Sequence, residues 1–204
     1  MKRKVLSLIA LAALVLLPVV SAVALTAAEE WSEWVDKGYG YGEDGNYEKA
    51  IECFTKAISL DPRDPFAYYL RGIAYSDIGE FDLAVADYTR AIELAPKDSS
   101  TYITRGYAYQ NLGKYDLAIA DYDKAISINP DYAWTYISRG YVYYQLVEFN
   151  LAIADYTMAI SLDPKDAYPY YLRGVAYHNI LGSYCLLYTS PSPRDRTRSR
   201  MPSS

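Results

Sequence analysis

Arginine recurs every 34 residues at Arg71, Arg105, Arg139 and Arg173, and aspartate follows sixteen residues later at Asp87, Asp121 and Asp155. A guanidinium is a planar fork of five donors that fits a carboxylate two bonds at a time. The spacing therefore predicts structural ion pairs Arg71–Asp87, Arg105–Asp121 and Arg139–Asp155. In the first copy both members change together, to Lys37 and Cys53, as a pair made within one copy requires. The other chemistry open to such a ladder is anion binding, but charges drawn into a packed interface are ordinarily neutralised by partners of their own. Little else in the chain carries reactive chemistry. His178 is the one histidine, and a metal centre needs clustered ligands. No glycine-rich phosphate loop, zinc-spaced cysteine pair or Ser, His and Asp set occurs. Asp61, Asp64, Asp98 and Asp163 stand where helix caps and turns are needed. The reading is of a protein that is not an enzyme, with no catalytic residue, no metal site and no cofactor.

The elements that place these side chains follow from the same period. Units run 31–64, 65–98, 99–132 and 133–166, and a fifth begins at Ala167. The fourth position is Trp34, Tyr68, Tyr102, Tyr136 and Tyr170; the eighth is Gly38, Gly72, Gly106, Gly140 and Gly174; the eleventh is Tyr41, Tyr75, Tyr109, Tyr143 and Tyr177. These share one helical face, and glycine at the eighth removes the side chain where a second helix must approach. In the second half, Ala50, Ala84, Ala118 and Ala152 precede by four residues Phe54, Tyr88, Tyr122 and Tyr156, and by seven Ala57, Ala91, Ala125 and Ala159. Small residues admit the partner helix and the ring fills the space between. Gly45, Gly79 and Gly113 mark the turn inside a unit, and Pro62, Pro96, Pro130 and Pro164 end it. Asp64 before Pro65 predicts an N-cap followed by a proline at the first helical position.

This 34-residue pattern resembles that of the tetratricopeptide repeat family, W-x2-L-G-x2-Y, then A-x3-F, then P. The resemblance spans residues 31 to about 184 and departs from the family at the seventh position, where Lys37 and the recurring arginines replace leucine. The fold it implies is all-α, a right-handed α-solenoid of helix hairpins whose stacked units share one core and curve around a concave face.

Both ends differ from the middle. "MKRK", an apolar run and the small residues "SAVALTAA" have the layout of a secretory signal, with cleavage after Ala24 or Ala28, so residues 1–24 are expected to be a signal peptide. The run is also long enough for an uncleaved membrane anchor. Either places the folded part outside the cytoplasm, secreted or in the cell envelope. At the other end the fifth unit is expected to stop at Tyr184, and "CLLYTSPSPRD" and "SRMPSS" resemble the translation of a transposase-based sequencing adapter. Residues 185–204 are accordingly expected to be a non-native, disordered tail, and residues 167–184 a truncated repeat. Lys2, Arg3 and Lys4 carry +3 and residues 185–204 a further +3, so the segment between them stands at −11 against a net −5. So acidic a body argues against nucleic acid or an anionic membrane surface as partner, and membrane contact is expected only through an uncleaved N-terminal segment. Two cysteines make no disulfide framework, and Cys53 reads as a small buried hydrophobe.

In the family the groove is lined by first-helix positions 2, 5, 9 and 12. The resemblance places there Tyr39, Tyr69, Ile73, Ile103, Tyr107, Trp134, Ile137, Tyr141, Tyr144 and Tyr171. The Lys and Asn side chains by which chaperone-binding relatives hold a C-terminal carboxylate have no counterpart. An aromatic, nearly uncharged groove suits a protein partner or an extended peptide, because rigid rings give large contact area at small entropic cost. Position 5 and part of position 9 are equally suited to packing between hairpins. The leading function is an extracytoplasmic protein–protein interaction scaffold. Two alternatives stay open: the non-catalytic binding arm of a larger enzyme, and an envelope component that self-associates through its ends.

Overall fold

A computed structural model describes the backbone of residues 26 and 28–189, with side chains as far as Leu181. The expected signal segment 1–24 and residues 190–204 of the expected tail lie outside the described residues. The described chain is helical throughout, without strands, and it divides into two compact units, one ending at Leu112 and one beginning at Gly113.

In the first unit, α1 covers 28–43, α2 Tyr47–Leu60, α3 Pro65–Asp77, α4 Phe81–Leu94 and α5 Ser99–Asn111. Helices α1 and α2, and α3 and α4, fold back on each other across turns at Gly45 and Gly79, whose φ of 73° and 81° is a conformation glycine adopts without strain. Asp64 caps α3 as the sequence predicts, accepting from the Ala67 amide at 3.0 Å with Pro65 in the first turn. The core joins Val35, Ala50, Phe54, Ala57, Ala67, Leu70 and Ala74, and a second cluster centres on Ala84, Tyr88 and Ala108. Cys53 is buried, as expected.

In the second unit, α6 covers Tyr115–Ile128, α7 Ala133–Gln145, α8 Phe149–Leu162 and α9 Tyr168–Thr189. Tyr136, Ile137 and Ala159 form one cluster, and Ala152, Tyr156 and Ala176 another. Two features depart from the periodic pattern. The turn between α7 and α8 has no glycine: Val147 takes a φ of 65°, the left-handed conformation that Gly45 and Gly79 take in their hairpins. A β-branched side chain crowds the following carbonyl there, and it is held because α8 packs along α7. Leu181 occupies the same register position in the fifth unit, yet α9 continues through it as one helix to Thr189, past the boundary at Cys185. No described helix is long and apolar enough to cross a membrane.

Candidate functional site

Among the seventh-position arginines, Arg71 and Arg139 are bound on all sides by their own fold. In the first unit, Arg71 Nε donates to Asp87 Oδ2 at 2.7 Å and Nη2 to Oδ1 at 2.8 Å, a two-bond fork across the α3–α4 hairpin. Its Nη1 donates to Thr55 Oγ1 of the preceding hairpin at 3.0 Å. The Tyr68 and Tyr75 rings flank the guanidinium, each centroid 5.9 Å away, because positions 4 and 11 lie one turn to either side of position 7. The second unit repeats the arrangement. Arg139 gives Asp155 bonds of 2.8 and 2.6 Å, reaches back to Asp123 of α6, and lies between Tyr136 and Tyr143. Its bonds to Asp155 and Asp123 outweigh burial and hold its pKa above the ordinary arginine value. Arg105 donates to Thr89 Oγ1 at 3.0 Å and lies over Tyr102 and Tyr109. Asp87, Asp121 and Asp155 are all buried. With its edges committed to carboxylate and hydroxyl and its faces to rings, this guanidinium is a clamp between helices. The backward bond to position 25 (Thr55, Thr89, Asp123, Thr157) escaped the sequence reading, although threonine or aspartate recurs there.

In the first unit the first copy differs because Lys37 cannot make the fork. It turns outward to Glu33 at 2.7 Å and over the Trp34 ring, and beside the buried Cys53 a cavity of about 510 Å³ opens, lined also by Trp34, Tyr41 and Glu52.

The residues expected to line a groove divide by burial. In the first unit Tyr39 is 44% exposed, Tyr69, Ile73 and Ile103 are half-buried, and Tyr107 is exposed. Tyr39 stands edge-on to Phe54 at 6.2 Å and 6.3 Å from Phe66, which stacks on Tyr69 at 6.4 Å. Tyr39 and Ile73 also line a cavity of about 260 Å³ with Gly42, Tyr47, Phe54 and Asp77. In the second unit Trp134 is 49% exposed and stacks on Tyr168 at 6.3 Å. Tyr141 and Tyr171 are exposed, while half-buried Tyr144 contacts Phe149 and accepts from Asn179 at 2.7 Å. Ile137 is a correction: it is 3% exposed and packs with Ala159 and Leu172, so it is a core residue. Phe66 and Tyr168, absent from the expected lining, are exposed and stack on Tyr69 and Trp134.

These features define a helix-hairpin repeat protein with a 34-residue period, carrying half-exposed aromatic side chains on its first helices. The profile described as TPR repeat matches residues 38–79, 106–147 and 148–180, and profiles described as tetratricopeptide repeat match 65–98 and 87–120. The chain belongs to the tetratricopeptide repeat family. No curated protein sequence matches it. Among solved structures it is similar to MamA protein, at 27% identity and a TM-score of 0.68 over 74% of this chain and 82% of MamA. It is also similar to the first TPR of Spaghetti (RPAP3) bound to the HSP90 peptide SRMEEVD, at 27% identity and 0.56 over 58% and 94%. The second TPR domain of human RPAP3 in complex with the HSP70 peptide SGPTIEEVD gives 28% identity and 0.55 over 57% and 97%.

Proposed function

We propose that the protein is a non-catalytic, extracytoplasmic interaction scaffold that holds an extended apolar or proline-rich peptide segment of a partner against the aromatic side chains of its first helices. The observation that carries this reading is the run of exposed Tyr39 and Phe66, the latter stacked on half-buried Tyr69, with the exposed stack of Trp134 on Tyr168 as its counterpart in the other unit. Stacked rings are pre-ordered, so a peptide laid on them orders few side chains as it binds. Proline-rich chains suit such a surface because their extended conformation is largely formed beforehand.

The complexes of the RPAP3 domains support a peptide as ligand, but the chemistry here differs. Their peptides end in Glu-Val-Asp. An acidic chain end would meet a body at −11 with no cation among the groove residues, so an uncharged segment is the better fit. Placement outside the cytoplasm rests on the signal-like first 24 residues, and N-terminal sequencing of the secreted chain tests it: Leu25 or Glu29 as first residue supports it, and Met1 on a cytosolic chain refutes it.

Calorimetric titration with proline-rich and with acidic peptides tests the binding reading. Phe66→Ala and Trp134→Ala should each cost at least about 2 kcal/mol of affinity for the proline-rich peptide, as central aromatic contacts do, with melting temperatures close to that of the parent. If both variants bind as the parent does, or melt early, the rings are packing residues and the reading fails.

A further inference from the structure

The residue that ends each first helix changes character along the chain. It is Glu43 in α1 and Asp77 in α3, but Asn111 in α5 and Gln145 in α7. A carboxylate there opposes the negative end of its own helix dipole, so the two acids do not serve helix stability. Both line the cavity of about 260 Å³ that lies among α1, α2 and α3 of the first unit. Neither carboxylate has a hydrogen-bond or ion-pair partner among the described residues, and no cation lines the cavity.

The inner wall is apolar. Ala50, Phe54 and Leu70 are buried and Ile73 half-buried, whereas Glu43 and Asp77 are exposed and stand at the mouth. The cavity stays open at Gly42, where no atom lies within 4 Å of an added Cβ; the later copies carry Ser76, Gln110 and Tyr144 at that position. The walls take enough water from the Asp77 carboxyl to raise its pKa above the ordinary carboxylate value.

We propose that this cavity seats one lysine or arginine side chain carried by the partner segment, its stem on Phe54, Leu70 and Ile73 and its charge on Glu43 and Asp77. The aliphatic stem of a basic side chain packs on apolar walls while its head reaches a polar rim. That charge is favoured both by the carboxylates and by the C-terminal ends of α1 and α3. An uncharged occupant of the same length would cover Glu43 and Asp77 without replacing the water they lose. The side chain comes from the segment proposed above because Tyr39 lines the cavity and also meets Phe66, so a chain laid on those rings passes the mouth. The inference rests on that reading for the source of the side chain, and on the cavity for its chemistry.

n-Butylammonium, a lysine side chain without its backbone, is titrated into the full chain carrying labelled methyl groups. The Leu70 and Ile73 methyl signals should shift saturably in the millimolar range, at a concentration about threefold or more below that needed with uncharged 1-butanol. Glu43→Gln with Asp77→Asn should remove that preference and leave a melting temperature no lower than the parent's. Gly42→Gln, which brings into the cavity the side chain that the third copy carries as Gln110, should abolish the shifts with both probes. A proline-rich peptide with lysine placed at each position in turn should, at one position, bind about threefold or more tighter than its norleucine counterpart, and the double variant should lose that gain. Equal response to butylammonium and butanol, or a lysine gain that survives in the double variant, would overturn the proposal. Stronger shifts in a chain with Lys2, Arg3, Lys4 and the four arginines of residues 190–204 changed to Gln would overturn it as well, by assigning the cavity to the chain's own ends. Butylammonium shifts without binding of any proline-rich peptide would remove the aromatic-surface reading and leave the cation seat standing, so the two failures are told apart.

Discussion

Alanine placed at Gly140 and at Gly174 should move stability in opposite directions, although both glycines hold the eighth position of their unit within a helix. In isolation the change favours the helix by about 0.5 to 1 kcal/mol, because glycine has more backbone freedom to lose. At Gly140 the new Cβ would lie 2.8 Å from Tyr156 Cε1 and 3.1 Å from Asp155 Cβ. The Tyr156 ring is buried and cannot swing clear, and Asp155 is fixed by Arg139, so the helices must separate. Overpacking of this kind costs about 1 to 3 kcal/mol, which set against the helical gain leaves a net loss of up to about 2.5 kcal/mol. At Gly174 nothing lies within 4 Å, and the full helical gain of about 0.5 to 1 kcal/mol remains. Urea unfolding followed by far-ultraviolet circular dichroism reads both, provided the m-values match that of the parent. A Gly140→Ala chain more stable than the parent, or a Gly174→Ala chain as destabilised as Gly140→Ala, would refute the packing argument.

Three further outcomes follow from the same contacts. Arg139→Ala and Asp155→Ala should each destabilise strongly, and the double variant should show a coupling of about 0.5 to 3 kcal/mol; additive losses would mean that the fork does not join the helices. Val147→Gly should raise the urea midpoint by the equivalent of about 1 kcal/mol by relieving a β-branched residue at φ 65°, and a fall would show the turn to be unstrained. Burial raises the Tyr88 and Tyr156 phenols above the ordinary value of 10.0. Their neutral forms are the ones that pack, so this stability is complete below about pH 10, where unfolded tyrosine ionises, and is lost as pH climbs further. Melting temperature should therefore hold between neutrality and that point and fall above it, less steeply in Tyr88→Phe and Tyr156→Phe chains; an unchanged slope in both would contradict the assignment.

The hairpins were legible in the sequence because each signature residue is a steric requirement. Glycine at position 8, alanine at 20 and 27 and a ring at 24 leave few ways for two helices to meet, and the Arg71–Asp87 and Arg139–Asp155 forks lie where the joint change in the first copy pointed. What stayed hidden depends on neighbouring elements. Val147 turns left-handed and Leu181 does not, at the same register position, because α8 packs back onto α7 while α9 has no such helix among the described residues. Residue type alone does not decide that turn. The surroundings of the aromatic side chains depend on neighbouring elements in the same way. Positions 2 and 9 meet across adjacent first helices, as Tyr39 meets Phe66, a spacing that matches no helical period. Ile137 shares its position with Tyr69 and Tyr171 yet is closed over by Leu172 and Ala159.

Whether an uncharged aromatic surface here binds extended peptide is tested most directly by the salt dependence of one affinity. A proline-rich peptide titrated into the parent chain should bind with an affinity that changes by less than about threefold between about 50 and 200 mM salt, since apolar contacts release no counterions. The same titration on Phe66→Ala and Trp134→Ala should show the loss of about 2 kcal/mol at both salt levels. Affinity that falls steeply with salt, or that is indifferent to both rings, would contradict the claim.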